Sequence, residues 1–305
     1  MAISAFEHGA DSVYVGPKGW SRRPSTDELS DAEIKYVIEY GNDVGKDVRV
    51  AINVMPSPGE IPQFLNKVER YVTWGAGGVM ICDPGCIRLV RQYFPEVEIH
   101  VSVTAGVFNI EDIHFYRELG ANHIVLPYRW GAAEIEEIRG QAEVGLEAFL
   151  FQTPHRAWIC PGRCYSSSYF RIEHLRDTED KDYFVGSASR GGSCHRICQG
   201  SWTFRDGQKI LLQSRRLKSR PELLLWELLE YVEMGVSRFK IPGRERSTEM
   251  VCAIVSFYRR ALDHVLAGSP DLTAFAPEWE ALKARWAAER TRRDDTRIDS
   301  AAIAA

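Results

Sequence analysis

Short β-branched runs alternate along the chain with stretches whose apolar residues recur at helical spacing. The runs cover residues 12–15, 48–53, 78–81, 98–103, 123–126, 146–149 and 238–241. Between them, Ser30-Asp-Ala-Glu33 reads as a capping box that opens a helix, and 60–74 and 109–119 as amphipathic helices. Residues 221–234 read as a helix that begins on a proline favoured in the first turn. Such alternation predicts parallel strands joined by helical crossovers. Each run ends in a turn or polar cluster, and a barrel would gather those clusters at one mouth, where barrel enzymes place their chemistry.

The expected fold is therefore α/β, a TIM-like (β/α) barrel. The chain opens on a helical pattern at 3–8, so seven strands are counted and the first strand of a full barrel is missing from the pattern. The distance between the last two runs far exceeds an ordinary βα connection. Residues 1–154 and 221–268 are accordingly assigned to the barrel, and 155–220 to an inserted Cys-rich subdomain. Within the insertion, the segment from Trp202 reads as a β-hairpin turning at Asp206-Gly207. A long helix is expected over 247–266, and a peripheral helix and tail over 269–305.

Composition narrows the class without naming it. A chain of 305 residues with 45% hydrophobic content can build a large core, and a net charge of -4 argues against a general nucleic-acid or membrane binder. No apolar run approaches the roughly eighteen residues a membrane span needs, and Glu7, His8 and Asp11 interrupt the start, so a cytoplasmic location is expected. Basic residues do cluster locally, as in Arg215-Arg216, Lys218 and Arg220, which is the pattern of a solvated face and also of a site for an RNA backbone.

Six of the seven cysteines fall in C-x-x-x-C pairs, which points to metal ligation rather than a secreted disulfide framework. Cys160 and Cys164, with Cys194 and Cys198, lie in the insertion among Gly, Ser and Arg. Four thiolates from two loops suit a 4Fe-4S cluster, and they suit structural zinc as well. Ordinary buried thiols are the plainer alternative. In the third pair, Cys86 would enter a helix and pack in the core, whereas Cys82 faces the expected mouth and could stand in as a ligand. Cys252 reads as core.

These cysteines and the segments around them resemble the collagenase-like peptidase U-32 family over nearly the whole chain. The resemblance is carried by Ala5-Phe-Glu-His-Gly-Ala-Asp-Ser-Val-Tyr-Val-Gly16, by Asp83-Pro-Gly85 with Phe94-Pro95 and Ile99-His-Val-Ser102, and by Asn109 and Gly120-Ala121. It continues in Glu147-Ala-Phe149 before the cysteine loop and in Phe239-Lys-Ile-Pro-Gly-Arg244 with Ser247, Tyr258, Arg259 and Asp263. Despite the peptidase label, the resemblance implies a 4Fe-4S cluster and oxygen-independent hydroxylation, of a ubiquinone precursor's ring or of cytidine or uridine in RNA. It favours the cluster over zinc. The ligands it implies are Cys160, Cys164, Cys194 and Cys198, with Cys160 displaced from the family's usual place, which falls near His155.

Other departures bear on substrate. Where the family has acids, this chain has Arg129, Arg216 and Pro242. A mouth carrying surplus positive charge would favour an anion. Asp83, His155 and Lys240 are the candidate catalytic groups, and Asn53, Ser102, Thr104, Arg129 and Arg244 the candidate substrate contacts. Strand-end polar residues also cap helices, and Asn53, Ser102 and Thr104 fit that plainer role equally. The expected activity is a non-hydrolytic redox or hydroxylation-like step on a small anionic, aromatic or cyclic substrate. RNA base modification, a cluster-bearing subunit paired in a homo- or hetero-oligomer with a related U-32-type protein, and proteolysis are the alternatives. No G-x-S-x-G, H-E-x-x-H or P-loop pattern supports hydrolysis.

Overall fold

A computed structural model describes residues 1–22, 28–128, 130–152, 173–178, 180–185, 187–190, 203–213, 222–243 and 246–303. Helix α1 (Ala2–Glu7) leads into β1 (Ser12–Val15), followed by α2 (Asp31–Asp43), β2 (Asp47–Ala51), α3 (Ile61–Thr73), β3 (Gly78–Ile81) and α4 (Pro84–Tyr93). The alternation continues through β4 (Glu98–Val101), α5 (Ile110–Glu118), β5 (His123–Val125), α6 (Ala132–Ile138) and β6 (Gly145–Phe149). Then come β7 (Phe151–Gln152), two hairpins, β8 (Glu173–Arg176) with β9 (Asp182–Val185) and β10 (Thr203–Asp206) with β11 (Lys209–Gln213), and β12 (Glu222–Leu223). The chain closes with α7 (Glu227–Glu233), β13 (Arg238–Lys240), α8 (Thr248–Leu266) and α9 (Ala276–Ile303).

Seven strands form one parallel sheet in the order β1-β2-β3-β4-β5-β6-β13. The sheet curls as a TIM-like half-barrel. Among the described residues β1 and β13 do not pair, yet the curl brings their side chains together: the Lys240 ammonium stands 3.7 Å from the centre of the Tyr14 ring.

Local chemistry explains the helices. Ser30 accepts from the Glu33 amide while Glu33 reaches back to the Ser30 amide, so the expected capping box starts α2, which buries Ile34, Val37 and Ile38 along one stripe. Asn109 and Ser247 cap α5 and α8 in the same way. The outward residues Val50, Ile81, Ile99 and Ile124 of the sheet pack against the helices in the main apolar core. A second core, with Leu150, Leu225, Ile254, Phe257 and Trp286, lies against α8. Helix α9, expected at the periphery, contributes Leu282 and Trp286 to it.

Two details differ from the reading of the sequence. The hairpin turns at Gly207-Gln208 rather than Asp206-Gly207, because Asp206 pairs with Lys209 and the left-handed φ of +56° falls on Gly207. The helix expected from Pro221 begins at Glu227 instead. Glu222 and Leu223 pair antiparallel with Gln152 and Phe151, and that ladder holds them extended. The pairing draws the two limbs of the inserted segment together beside the barrel mouth.

Candidate functional site

Side chains on alternate strand positions point into the half-barrel, and a dry parallel barrel would fill those positions with aliphatic residues. Here they include Tyr14, Arg49, His100, His123, Glu147, Arg238 and Lys240. Glu147 is the centre of this interior network. The Tyr14 hydroxyl donates to its Oε2 at 2.7 Å, and His100 Nδ1–H donates to its Oε1. Arg49 Nε donates to His100 Nε2 at 3.0 Å, which leaves Nδ1 as the ring's donor. One step nearer the opposite end of the barrel, His123 stacks on His100 with ring centres 4.6 Å apart, and Arg238 contacts both His123 and Glu98.

Glycine makes this interior possible. A Cβ on Gly145 would lie 2.0 Å from His123 Nδ1, and one on Gly78 would lie 3.1 Å from His100 Nε2 and 2.9 Å from the Glu98 carbonyl. Larger residues there would expel the imidazoles.

Electrostatics fix the charge states. Burial pushes the Glu147 carboxyl up, but the His100 hydrogen bond, the Lys240 charge and the Tyr14 hydroxyl outweigh it and hold the group at about 2. Burial and the Glu147 charge push the Tyr14 hydroxyl well above its usual value. Burial above all, with the Arg238 charge beside it, lowers His123 to about 4, so it is neutral near physiological pH. Glu98, His100 and His123 lie close enough together to hold a metal ion. Arg49 donates to His100 Nε2 and Arg238 lies against both His123 nitrogens, so two guanidinium groups occupy the space and the lone pairs a cation would need.

The His123 shift has a measurable consequence. The unfolded chain takes up a proton below about pH 6.5, whereas the folded protein resists doing so down to about 4, so stability should fall as pH drops through that window. At the bottom of the window the loss from this residue should reach about 3 kcal/mol. Urea unfolding of the native protein and of His123→Gln, which retains an acceptor for Arg238, checks this. The variant should lose markedly less stability between neutral and mildly acidic pH, and identical pH slopes would refute the assignment.

Above the network lies an apolar layer of Ala51, Met80, Val125 and Phe149. Lys240 stands in it, with its ammonium against the Tyr14 face and 3.6 Å from the Met80 sulfur. Tyr128, Phe149 and Phe151 adjoin the layer as an aromatic cluster with ring centres 4.9 to 5.7 Å apart; Tyr128 and Phe151 are half-buried.

At the mouth, three of the candidate substrate contacts bind one another. Asn53 Nδ2 donates to Ser102 Oγ at 3.1 Å, and Ser102 and Thr104 hydroxyls are 2.9 Å apart. Asn53 Oδ1 accepts from the Arg22 amide, and Ser102 caps the short 3-10 turn that follows β4. Asp83 is the N-cap of α4, accepting from the Cys86 amide at 2.9 Å. Cys82 is buried with its thiol donating to the Asn53 carbonyl at 3.1 Å, and Cys86 and Cys252 are buried as well. The structure thus brings together Asn53, Ser102 and Thr104 at the mouth and sets Lys240 deeper. Arg129, His155, Arg244, Cys160, Cys164, Cys194, Cys198 and Arg216 lie outside the described residues.

The model of Peptidase family U32 matches residues 1–292. The chain belongs to peptidase family U32. Among its U32 relatives, tRNA hydroxylation protein P of Escherichia coli (strain K12) is 25% identical, over 97% of this chain and 72% of that protein. The 23S rRNA 5-hydroxycytidine C2501 synthase of the same organism is 24% identical, over 89% of this chain and 39% of that protein. The chain therefore spans only part of the length of these relatives. Among solved structures, the U32 peptidase Mk0906 superposes with a TM-score of 0.43 and 18% identity, covering 48% of this chain and 63% of that one. No helix among the described residues is long and apolar enough to cross a membrane.

Proposed function

We propose that this U32 protein hydroxylates a base in RNA. The observation that carries the reading is the U32 match over residues 1–292, joined to relatives named for tRNA hydroxylation and for 5-hydroxycytidine synthesis in 23S rRNA. The geometry is compatible with a base as substrate. Tyr128, Phe149 and Phe151 offer aromatic surface on which a flat ring can stack, and the Asn53, Ser102 and Thr104 bracket offers amide and hydroxyl groups to its polar edge. The basic run from Arg215 to Arg220 suits the phosphate backbone.

Hydroxylation replaces a C–H bond with C–OH, a two-electron oxidation of the base. It balances when an oxygen-atom donor gives up its oxygen and is itself reduced by those two electrons, so a redox group that passes the electrons is needed. We assign a 4Fe-4S cluster to Cys160, Cys164, Cys194 and Cys198. The donor set fits: two C-x-x-x-C pairs supply four thiolates, and the limb before Cys194 begins at Arg190, which is anchored on the Met55 carbonyl above β2. When bound, the cluster would supply one-electron transfer. The chain's own groups would stack the base, satisfy its edge and keep water from the apolar layer.

A free small anion held by Arg129 and Arg244 is the second reading, and the replacement of family acids by Arg129, Arg216 and Pro242 favours it. Mass spectrometry of nucleosides from tRNA and rRNA, from cells with and without the gene, separates the two. Base hydroxylation predicts loss of one nucleoside that is a single oxygen heavier than cytidine or uridine, restored by the wild-type gene and not by Cys164→Ala. An unchanged nucleoside profile would overturn RNA as substrate.

A further inference from the structure

One buried ion cluster lies outside the barrel interior. The Glu60 carboxylate, in the loop between β2 and α3, is 2% exposed and receives four donors. Lys181 Nζ donates to Oε1 at 2.6 Å and the Asp182 amide to the same oxygen at 3.1 Å. The Ser57 amide donates to Oε2 at 2.6 Å, and Arg190 Nη1 lies 3.0 Å from it. A carboxylate has about four good acceptor positions, so Glu60 is saturated. Lys181 is equally enclosed. Its ammonium also donates to the Asp182 carbonyl at 2.9 Å and stands 4.8 Å from the ring centre of Trp20, which the loop after β1 supplies.

The donors divide in a telling way. Glu60, Ser57 and Trp20 belong to the barrel's βα loops, whereas Lys181, Asp182 and Arg190 belong to the inserted segment. Two further bonds run parallel to the cluster: the Met55 amide donates to the Ser189 carbonyl at 2.8 Å, and Arg22 donates to Ser189 Oγ at 2.7 Å. The Arg22 amide in turn holds Asn53 at the mouth. A buried ion pair contributes little net stability compared with an apolar contact, but losing one partner leaves the other charge stranded. Such a pair fixes geometry more than it adds stability.

We propose that Glu60 is a positioning residue for the site, the anchor by which the barrel holds hairpin β8–β9 and the turn at 188–190 across its mouth. The inserted limb that carries Cys194 and Cys198 then starts from a fixed point at Arg190. This second consequence rests on the cluster assignment made above, whereas the anchor itself does not.

Amine acylation of the metal-free full-length protein, quantified by peptide mass spectrometry, tests the anchor. In the wild type, Lys181 should react far more slowly than the exposed Lys35. In Glu60→Gln it should react at least roughly ten-fold faster than in the wild type, while the barrel stays folded, because the anchor opens locally. Wild-type Lys181 as reactive as Lys35, or Lys181 still protected in Glu60→Gln, would overturn the anchor. If Glu60→Gln does not fold, Lys181→Met serves: hydrogen exchange at the Asp182 and Val185 amides should quicken, and unchanged exchange would overturn the proposal. Anaerobic reconstitution tests the consequence, since Glu60→Gln should take up less iron and sulfide than the wild type. Equal loading with a released Lys181 would refute the link to the cysteine limb, and a wild type that takes up no iron would refute the cluster while leaving the acylation result to judge the anchor.

Discussion

Glu147→Ala should be the most destabilising single substitution in the barrel interior, lowering the unfolding free energy by about 3–5 kcal/mol. The carboxylate is 1% exposed and is the shared acceptor of the Tyr14 hydroxyl and His100 Nδ1–H. Its charge also faces Lys240, whose ammonium stands against the Tyr14 ring and near the Met80 sulfur. Removing the carboxylate takes away the shared acceptor of the Tyr14 hydroxyl and His100 Nδ1–H, together with a negative charge that faces Lys240, at a place where Glu147 and His100 are both buried. Glu147→Gln keeps the shape and one acceptor, so its loss should be smaller, about 1–3 kcal/mol. Urea denaturation of the two variants measures both. A loss below about 1 kcal/mol for Glu147→Ala would mean that the network is not held by this residue.

That network also marks the limit of what the chain discloses before its structure is known. The strands were legible because each is a short β-branched run, and parallel pairing followed from the helices between them. Attention to strand ends, however, selects Asn53, Asp83, Ser102 and Thr104, and the structure has three of these binding one another and the fourth capping a helix. The interior groups sit mid-strand, where a barrel is expected to be apolar. A signal for them exists in the alternation itself: Tyr14, Arg49, His100, His123 and Glu147 each stand beside an outward Val, Ile or Ala. Read strand by strand this suggests one wet face. Read together, with Gly78 and Gly145 clearing space, it places a charged network inside the barrel.

The late helix start and the unseen Glu60 anchor share one cause, tertiary pairing that overrides local preference. Glu222 and Leu223 carry a helix-forming neighbourhood but are held as a short strand by Phe151 and Gln152. Likewise the Glu60 anchor is invisible in sequence, since Glu60 and Lys181 are far apart and each sits in a stretch that reads as surface. Burial of both is a property of the docked insertion, and only the docked structure reveals it.

Cysteine substitution should have an all-or-none effect on the proposed cluster. Anaerobically isolated protein should be brown, with about four irons and matching sulfide per chain, and air should bleach it as an accessible cluster loses iron. Loss of one of four thiolates leaves a corner of the cubane open to exchange and breakdown, so Cys164→Ala, Cys194→Ala or Cys198→Ala should each abolish the colour. Cys160→Ala discriminates further. The Cys82 thiol is buried and committed to the Asn53 carbonyl, so it is poorly placed to rescue a missing ligand, and His155 is the remaining candidate. Full cluster in Cys160→Ala but not in Cys160→Ala with His155→Ala would move the fourth ligand to His155. Stoichiometric zinc without labile sulfide in the wild type would instead assign the four thiolates to a structural metal and remove the redox step from the proposed hydroxylation.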